Sequence, residues 1–216
     1  PSDNGGATPT PSPSQDNGDA DKGKTEADGT ETGKDKTDTE NENSQKNKPH
    51  PKAGEQFKDV DTNAVYAVLS VSGRTAAYVK PLDKKQKTVT IPAAVSINGV
   101  KYKITAISDR AFKGNKNVTK VKIGSSITKI GKNAFYGCKN LKTVTVGKNV
   151  VEIGAKAFYK CTALTKVTIP AKVRKIGKMA FYGCRKLKLV NVRTKKLTNK
   201  RVGAKAFQNI HTKARI

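Results

Sequence analysis

A 23-residue period runs through the second half of this 216-residue chain. Phe112, Phe135, Phe158 and Phe181 stand 23 residues apart, each preceded by an alanine: Ala111, Ala134, Ala157 and Ala180. Ile107, Ile130, Ile153 and Ile176 lie five residues before each phenylalanine, and Ile104, Ile127, Val150 and Val173 lie eight before. Val118, Leu141, Leu164 and Leu187 follow, then Val121, Val144, Val167 and Val190, then Ile123, Val146, Ile169 and Val192. Apolar positions that recur in phase at this length mark the coils of a solenoid. One coil cannot enclose a core, but a stack of coils buries a continuous one.

The unit reads V-x-x-I-G-x-x-A-F-x-x-C-x-x-L-x-x-V-x-I. Its end alternates at period two and is rich in β-branched residues, which predicts a short strand with Val144 and Val146 inward and Thr143 and Thr145 outward. Gly124, Gly147 and Pro170 follow three of these strands and let the chain turn. Gly131, Gly154 and Gly177 recur with the coil and are also read as turn markers. The A-F-x-x-C piece is too short for a full helix and reads as a single helical or 3₁₀ turn.

The stretch I-G-K-N-A-F-Y-G-C-K-N-L-K-T-V-T-V at 130–146 resembles the BspA-like leucine-rich repeat family of bacterial surface proteins. The resemblance covers about 104–216, as units 104–126, 127–149, 150–172 and 173–196 and a degenerate last unit, 197–216. There Val202, Gly203, Ala206 and Phe207 keep their spacing and Ile210 takes the cysteine column, but the Phe181-to-Phe207 gap is 26 residues. Such a departure suits a terminal cap. Residues 88–104 also resemble the β-rich unit that precedes these repeats. The resemblance implies a β-rich solenoid of short strands and short helical turns, and an extracellular, non-catalytic role in adhesion or binding at a bacterial cell surface. It carries over no binding residues.

Residues 57–103 lack the period but hold strand signals. The runs 65–71 and 75–79 around Ser72-Gly73 read as a hairpin. Residues 88–91 and 95–97 read as further strands, and 100–104 follows the primed turn Asn98-Gly99. A small β-cap over the first coil is the expected role. Residues 1–56 contain no Val, Ile, Leu, Met, Phe, Tyr, Trp or Cys. Such a segment cannot offset its chain entropy by burial and reads as a disordered acidic linker reaching about 40 Å. The opening Pro1-Ser2-Asp3 reads as the start of a mature or excised segment.

Charge divides the same way. Residues 1–56 carry twelve acids and seven bases, net −5, and 57–216 carry 36 bases and five acids, net +31. Beyond Asp83 only Asp109 and Glu152 are acidic. No run of about 18–20 apolar residues exists, which excludes a helical membrane span. With two histidines, no Trp and one Met, no nucleophile–base pair, carboxylate pair or phosphate-cradling loop can be assembled. We therefore expect no catalytic, cofactor-binding or metal residues.

Cys138, Cys161 and Cys184 share one column, held by Asn115 in the first unit. The column reads as buried small side chains facing turn backbone. A disulfide between neighbouring coils is the competing reading, and it would leave one thiol over. No Cys-x-x-Cys pair or histidine supports zinc. Asn117-Val118-Thr119 fits a glycosylation sequon, and its place in the repeat explains it equally well.

The outward strand positions supply the functional clue. They form the columns Thr119, Lys142, Thr165, Lys188; then Lys120, Thr143, Lys166, Leu189; then Lys122, Thr145, Thr168, Asn191. The candidate ligand face is Lys120, Lys122, Lys142, Thr143, Thr145, Lys166, Thr168 and Lys188. A second basic edge comes from Lys129, Lys132, Arg174, Lys175 and Lys178, and Tyr136, Tyr159 and Tyr182 form an aromatic column beside Lys139 and Arg185. Two explanations of the face compete. One is docking of a protein, an anionic glycan or a cell-wall polymer, with non-specific nucleic-acid binding as a variant. The other is a lysine-covered surface that keeps a repetitive sheet soluble, in a module acting as a structural spacer.

Overall fold

A computed structural model describes residues 51–216. Of the disordered linker read over 1–56, residues 1–50 lie outside the described residues; its last residues are ordered instead, since Gly54 N donates to Val68 O (2.7 Å), Glu55 O accepts from Val68 N (3.0 Å) and Gln56 opens the first strand. Three strands open the structure as an antiparallel meander: β1 (Gln56–Asp59), β2 (Ala64–Ser70) and β3 (Thr75–Pro81). After β4 (Thr88–Ile91), β5 (Ala94–Ile97) and β6 (Val100–Ile107) form a hairpin. Its turn places Asn98 at φ 51° and Gly99 at φ 77°, the primed geometry expected of Asn-Gly. The β-cap is thus present, and aromatic residues join it to the coils. Tyr66 meets Tyr78 edge-on at 5.8 Å, and Tyr78 stacks on Phe112 at 5.4 Å.

Each coil contributes two strands. The expected ones are β7 (Lys120–Ile123), β9 (Thr143–Thr145), β11 (Lys166–Ile169) and β13 (Leu189–Val192). Between them lie the two-residue strands β8 (Lys129–Ile130), β10 (Glu152–Ile153) and β12 (Lys175–Ile176), too short to show a period in sequence. Both sets pair in parallel. The first gives a five-stranded sheet, β13-β11-β9-β7-β4, and the second continues the sheet of β1, β2, β3 and β6. Notably, β4 belongs to the five-stranded sheet. Val89 pairs with Val121 and Ile91 with Ile123, although 32 residues rather than 23 separate the partners. The ladder therefore begins one strand before the sequence period does.

The third side of the coil carries the A-F-x-x-C segment. There 3₁₀-type bonds alternate with bonds to the next coil. Tyr136 N donates to Asn133 O (3.0 Å) and Cys138 N to Phe135 O (3.2 Å), while Asn133, Phe135 and Gly137 donate to Ala155, Ala157 and Tyr159 carbonyls at 2.7–3.0 Å. No continuous helix can form, because two positions per coil are left-handed. One column is Arg110, Asn133, Lys156, Met179 and Lys205 (φ 54–62°), and the other is Gly114, Gly137, Lys160, Gly183 and Asn209. Arg110 is exposed and pays a steric cost at φ 62° that glycine avoids. Arg110→Gly should raise the unfolding free energy by about 0.5–1 kcal/mol, measured by urea denaturation.

Inside the coils, one row of rings runs through the core. Phe112, Phe135, Phe158, Phe181 and Phe207 stack nearly parallel at 4.8–5.2 Å. Leu141, Leu164 and Leu187 and the inward Val and Ile columns are buried beside them. Two inward expectations loosen at the strand ends: Val146 is half-buried and Val192 is exposed. The degenerate unit completes the stack through Phe207, through bridges from Ile176 to Val202 and from Leu189 to Arg215, and with a 3₁₀ turn (Asn199–Arg201) inside its longer connection.

A basic sheet face as candidate binding site

The five-stranded sheet turns one set of side chains inward and the other out, because strand residues alternate faces. On β7, Lys120 and Lys122 are exposed while Val121 and Ile123 are buried. On β9, Thr143 and Thr145 are exposed around buried Val144. On β11, Lys166 is exposed and Thr168 half-buried. The parallel register brings these together: Lys120 faces Thr143, Thr143 faces Lys166, and Lys166 faces Leu189. Lys142 and Lys188 are also exposed but stand one residue ahead of β9 and β13, at the corner where the chain enters the sheet. The eight candidate residues therefore form a sheet face of six and a rim of two.

The rim is continuous. Thr119 N donates to Lys87 O (2.7 Å), Lys142 N to Thr119 O (2.8 Å), Thr165 N to Lys142 O (3.4 Å) and Lys188 N to Thr165 O (2.9 Å). Lys87 and Thr88 are thus further members of the surface that the 23-residue period did not reveal. A signal for them existed: Val89-Thr90-Ile91-Pro92 repeats Val167-Thr168-Ile169-Pro170. No Asp or Glu lies in these columns, so no carboxylate of the face itself offsets the lysine potential there.

The second basic edge lies elsewhere. Lys129, Glu152 and Lys175 are in register on the other sheet, and Lys175 Nζ reaches Glu152 Oε1 at 3.1 Å, the one ion pair among the described residues. Lys132 and Lys178 line the same shallow groove with Asp109, whose Oδ1 accepts from Lys132 N at 2.7 Å. Both carboxylates of the repeats therefore sit on this side and dilute its charge.

The tyrosine column packs against itself. Tyr136, Tyr159 and Tyr182 stack at 4.8 and 5.3 Å, half-buried, with Lys113 over Tyr136 at 5.8 Å and Lys160 over Tyr159 at 5.4 Å. The faces between neighbouring rings are spent on one another, and lysines lie over Tyr136 and Tyr159.

The cysteines are free and buried. Each thiol donates to the phenylalanine carbonyl of the preceding coil: Cys138 to Phe112 (3.0 Å), Cys161 to Phe135 (3.1 Å) and Cys184 to Phe158 (3.1 Å). Asn115, at the start of the column, instead accepts from the Asn117 and Val118 N–H groups and donates to Lys84 O. Burial pushes the Cys138 and Cys184 thiols up to about 12 and Cys161 well above its ordinary value. The native protein should therefore yield no thiol to a disulfide reagent at pH 8, and three after denaturation. The stability that these neutral thiols confer is full below about pH 9 and is lost as pH climbs toward 12, because the unfolded chain then releases protons that the folded chain keeps.

A family model for the BspA type leucine rich repeat region matches residues 94–214 in six copies, one more than the five units read from the period. The fold is similar to a leucine-rich repeat protein of T. pallidum (25% identity, TM-score 0.61, 70% of this chain and 67% of that one). It is also similar to a leucine-rich repeat protein from Bacteroides capillosus (28%, 0.56, 63% of this chain and 97% of that one). A leucine rich cell surface protein from Faecalibacterium prausnitzii matches at 27% identity and TM-score 0.53 over 73% of this chain, which spans about half (53%) of that protein. No curated protein matches the chain significantly. No helix among the described residues is long and apolar enough to cross a membrane.

Proposed function

Because the chain belongs to the BspA-type leucine-rich repeat family, we propose that it is a non-enzymatic module of a bacterial cell surface that binds a macromolecule through the basic face of its five-stranded sheet. Leucine-rich repeat proteins serve in general as binding modules rather than enzymes. The observation that carries the reading is the acid-free array of exposed Lys and Thr held in register by the parallel ladder. The parallel ladder fixes the backbone positions from which the lysines project, and the array matches an extended acidic partner by charge. A cell-surface setting is supported by the likeness to the Faecalibacterium protein.

The test is a triple charge reversal, Lys120→Glu, Lys142→Glu and Lys166→Glu. Wild-type and variant chains are passed over an array of matrix proteins, anionic glycans and wall polymers. We expect at least one saturable ligand whose affinity drops by about a hundredfold in the variant, roughly tenfold or less for each reversed charge. Unchanged affinity for every retained ligand would place binding elsewhere. Retention of no ligand would make the module a spacer.

A further inference from the structure

The backbone ladder adds Lys87 and Thr88 to the surface, and with them the lysines form an alternating lattice. On the rim, lysine occupies every second rung: Lys87, then Lys142, then Lys188, with Thr119 and Thr165 between. On the adjoining face column the order is reversed: Thr88, Lys120, Thr143, Lys166. In these two columns every coil thus offers one cation, on alternate sides of a line along the solenoid, and Lys122 adds one further cation on β7. Lysines of one side recur every second coil, at about 9.5 Å. A threonine hydroxyl stands opposite each lysine on its own rung, save on the last, where Leu189 takes that place.

We propose that this lattice is a docking track for a linear polysaccharide that carries one anionic group per sugar on alternating sides, a sulfated sugar alternating with a uronic acid. The inference rests on the sheet face being the binding surface. A pyranose advances its chain by about one coil height, so sulfate meets one lysine row while carboxylate meets the other. The hydroxyls of Thr88, Thr143 and Thr165 are left to bond sugar hydroxyls, while Thr119 Oγ1 already donates to Lys87 O at 2.9 Å. Nucleic acid fits this pattern less well, because a single strand presents one kind of anion from one edge of a flexible backbone, and its binding follows total charge.

A charge-conserving swap separates pattern from charge. Lys142→Thr with Thr143→Lys keeps composition and net charge but puts three face lysines on successive coils and leaves a gap in the rim. Thr143 makes no side-chain hydrogen bond among the described residues, so the swap should leave the fold intact, as checked by circular dichroism. The probes are a chondroitin sulfate hexasaccharide, its desulfated form and a single-stranded oligonucleotide of equal charge, titrated against the full chain at physiological salt. We expect the swap to weaken the sulfated hexasaccharide by about tenfold and the oligonucleotide by less than about twofold. Desulfation should weaken the wild type to the same degree as the swap. If the swap binds the hexasaccharide like wild type while Lys120→Gln/Lys142→Gln/Lys166→Gln does not, the lattice claim is overturned and the face reading stands. If neither variant changes binding, the face reading falls as well. An oligonucleotide that binds more tightly than the hexasaccharide and loses as much on the swap would assign the track to nucleic acid and overturn the proposal.

Discussion

Phe158→Ala is expected to lower the unfolding free energy by about 4 kcal/mol, the middle of the range for buried aromatic truncations. Phe158 is fully buried, with Phe135 and Phe181 each 5.0 Å away on either side. Its backbone is tied to the following coil at two points, since its N–H donates to Ala180 O at 2.7 Å and its carbonyl accepts the Cys184 thiol at 3.1 Å, while the neighbouring Ala157 carbonyl accepts from Phe135 N of the preceding coil at 2.7 Å. Hydrogen-bonded ladders on three sides fix the spacing of the coils, so neighbours cannot close onto the vacated volume. The substitution also divides the ring row into two shorter stacks, and a repeat array whose interface is weakened can lose its single cooperative transition. Phe207→Ala is the comparison: Phe207 ends the row half-buried and should cost about 1–2 kcal/mol. Urea melts followed by circular dichroism read both, and equal losses would contradict a stack whose strength lies in its interior.

Gly154→Ala should be nearly as costly, at about 3 kcal/mol, and for a reason unrelated to turn flexibility. A Cβ at Gly154 would lie 2.7 Å from the Gly131 carbonyl carbon and 2.8 Å from the Gly131 and Ile130 carbonyl oxygens. All three atoms are backbone of the preceding coil, which the ladder does not let move. Gly131, Gly177 and Gly203 meet the coil before them in the same way. The first coil provides an internal control. Ser108 holds this column there, and its N–H bonds Tyr78 O on β3 at 2.9 Å, where no coil precedes it. The Gly114, Gly137 and Gly183 column differs. Gly137 has open space around its Cβ position but φ +70°. Gly137→Asn should therefore be nearly neutral, as Asn209 shows in the same column, whereas Gly154→Asn should be as damaging as Gly154→Ala. Thermal or urea midpoints of the three variants would decide, and a mild Gly154→Ala would mean that the coils can spread.

Reading Gly131, Gly154 and Gly177 as turn markers was therefore right in place but incomplete in cause. The pattern I-G-x-x-A-F is the same whether glycine is needed for its dihedral angle or for the approach of another strand, and only the neighbouring coil distinguishes them. The cysteine column shows the opposite case. Its burial followed from its phase with Phe and Leu, and the structure added the acceptor, a carbonyl 26 residues back.

What the sequence determined by itself was the coil: its length, the inward Phe, Leu, Val and Ile columns, the outward Lys and Thr columns and the acid-poor surface. A 23-residue phase forces equivalent residues to equivalent positions once one coil stacks on another. What only the tertiary structure decided was how far the stack extends and which hydrogen bonds build its sides. The recruitment of β4, the two-residue strands of the second sheet and the placing of Lys87 beside Thr119 are partnerships across 23 or more residues. Their free energy resides in backbone pairing between coils, which leaves no two-residue alternation in a strand of two residues and no 23-residue phase where a connection has lengthened from 23 to 32 residues.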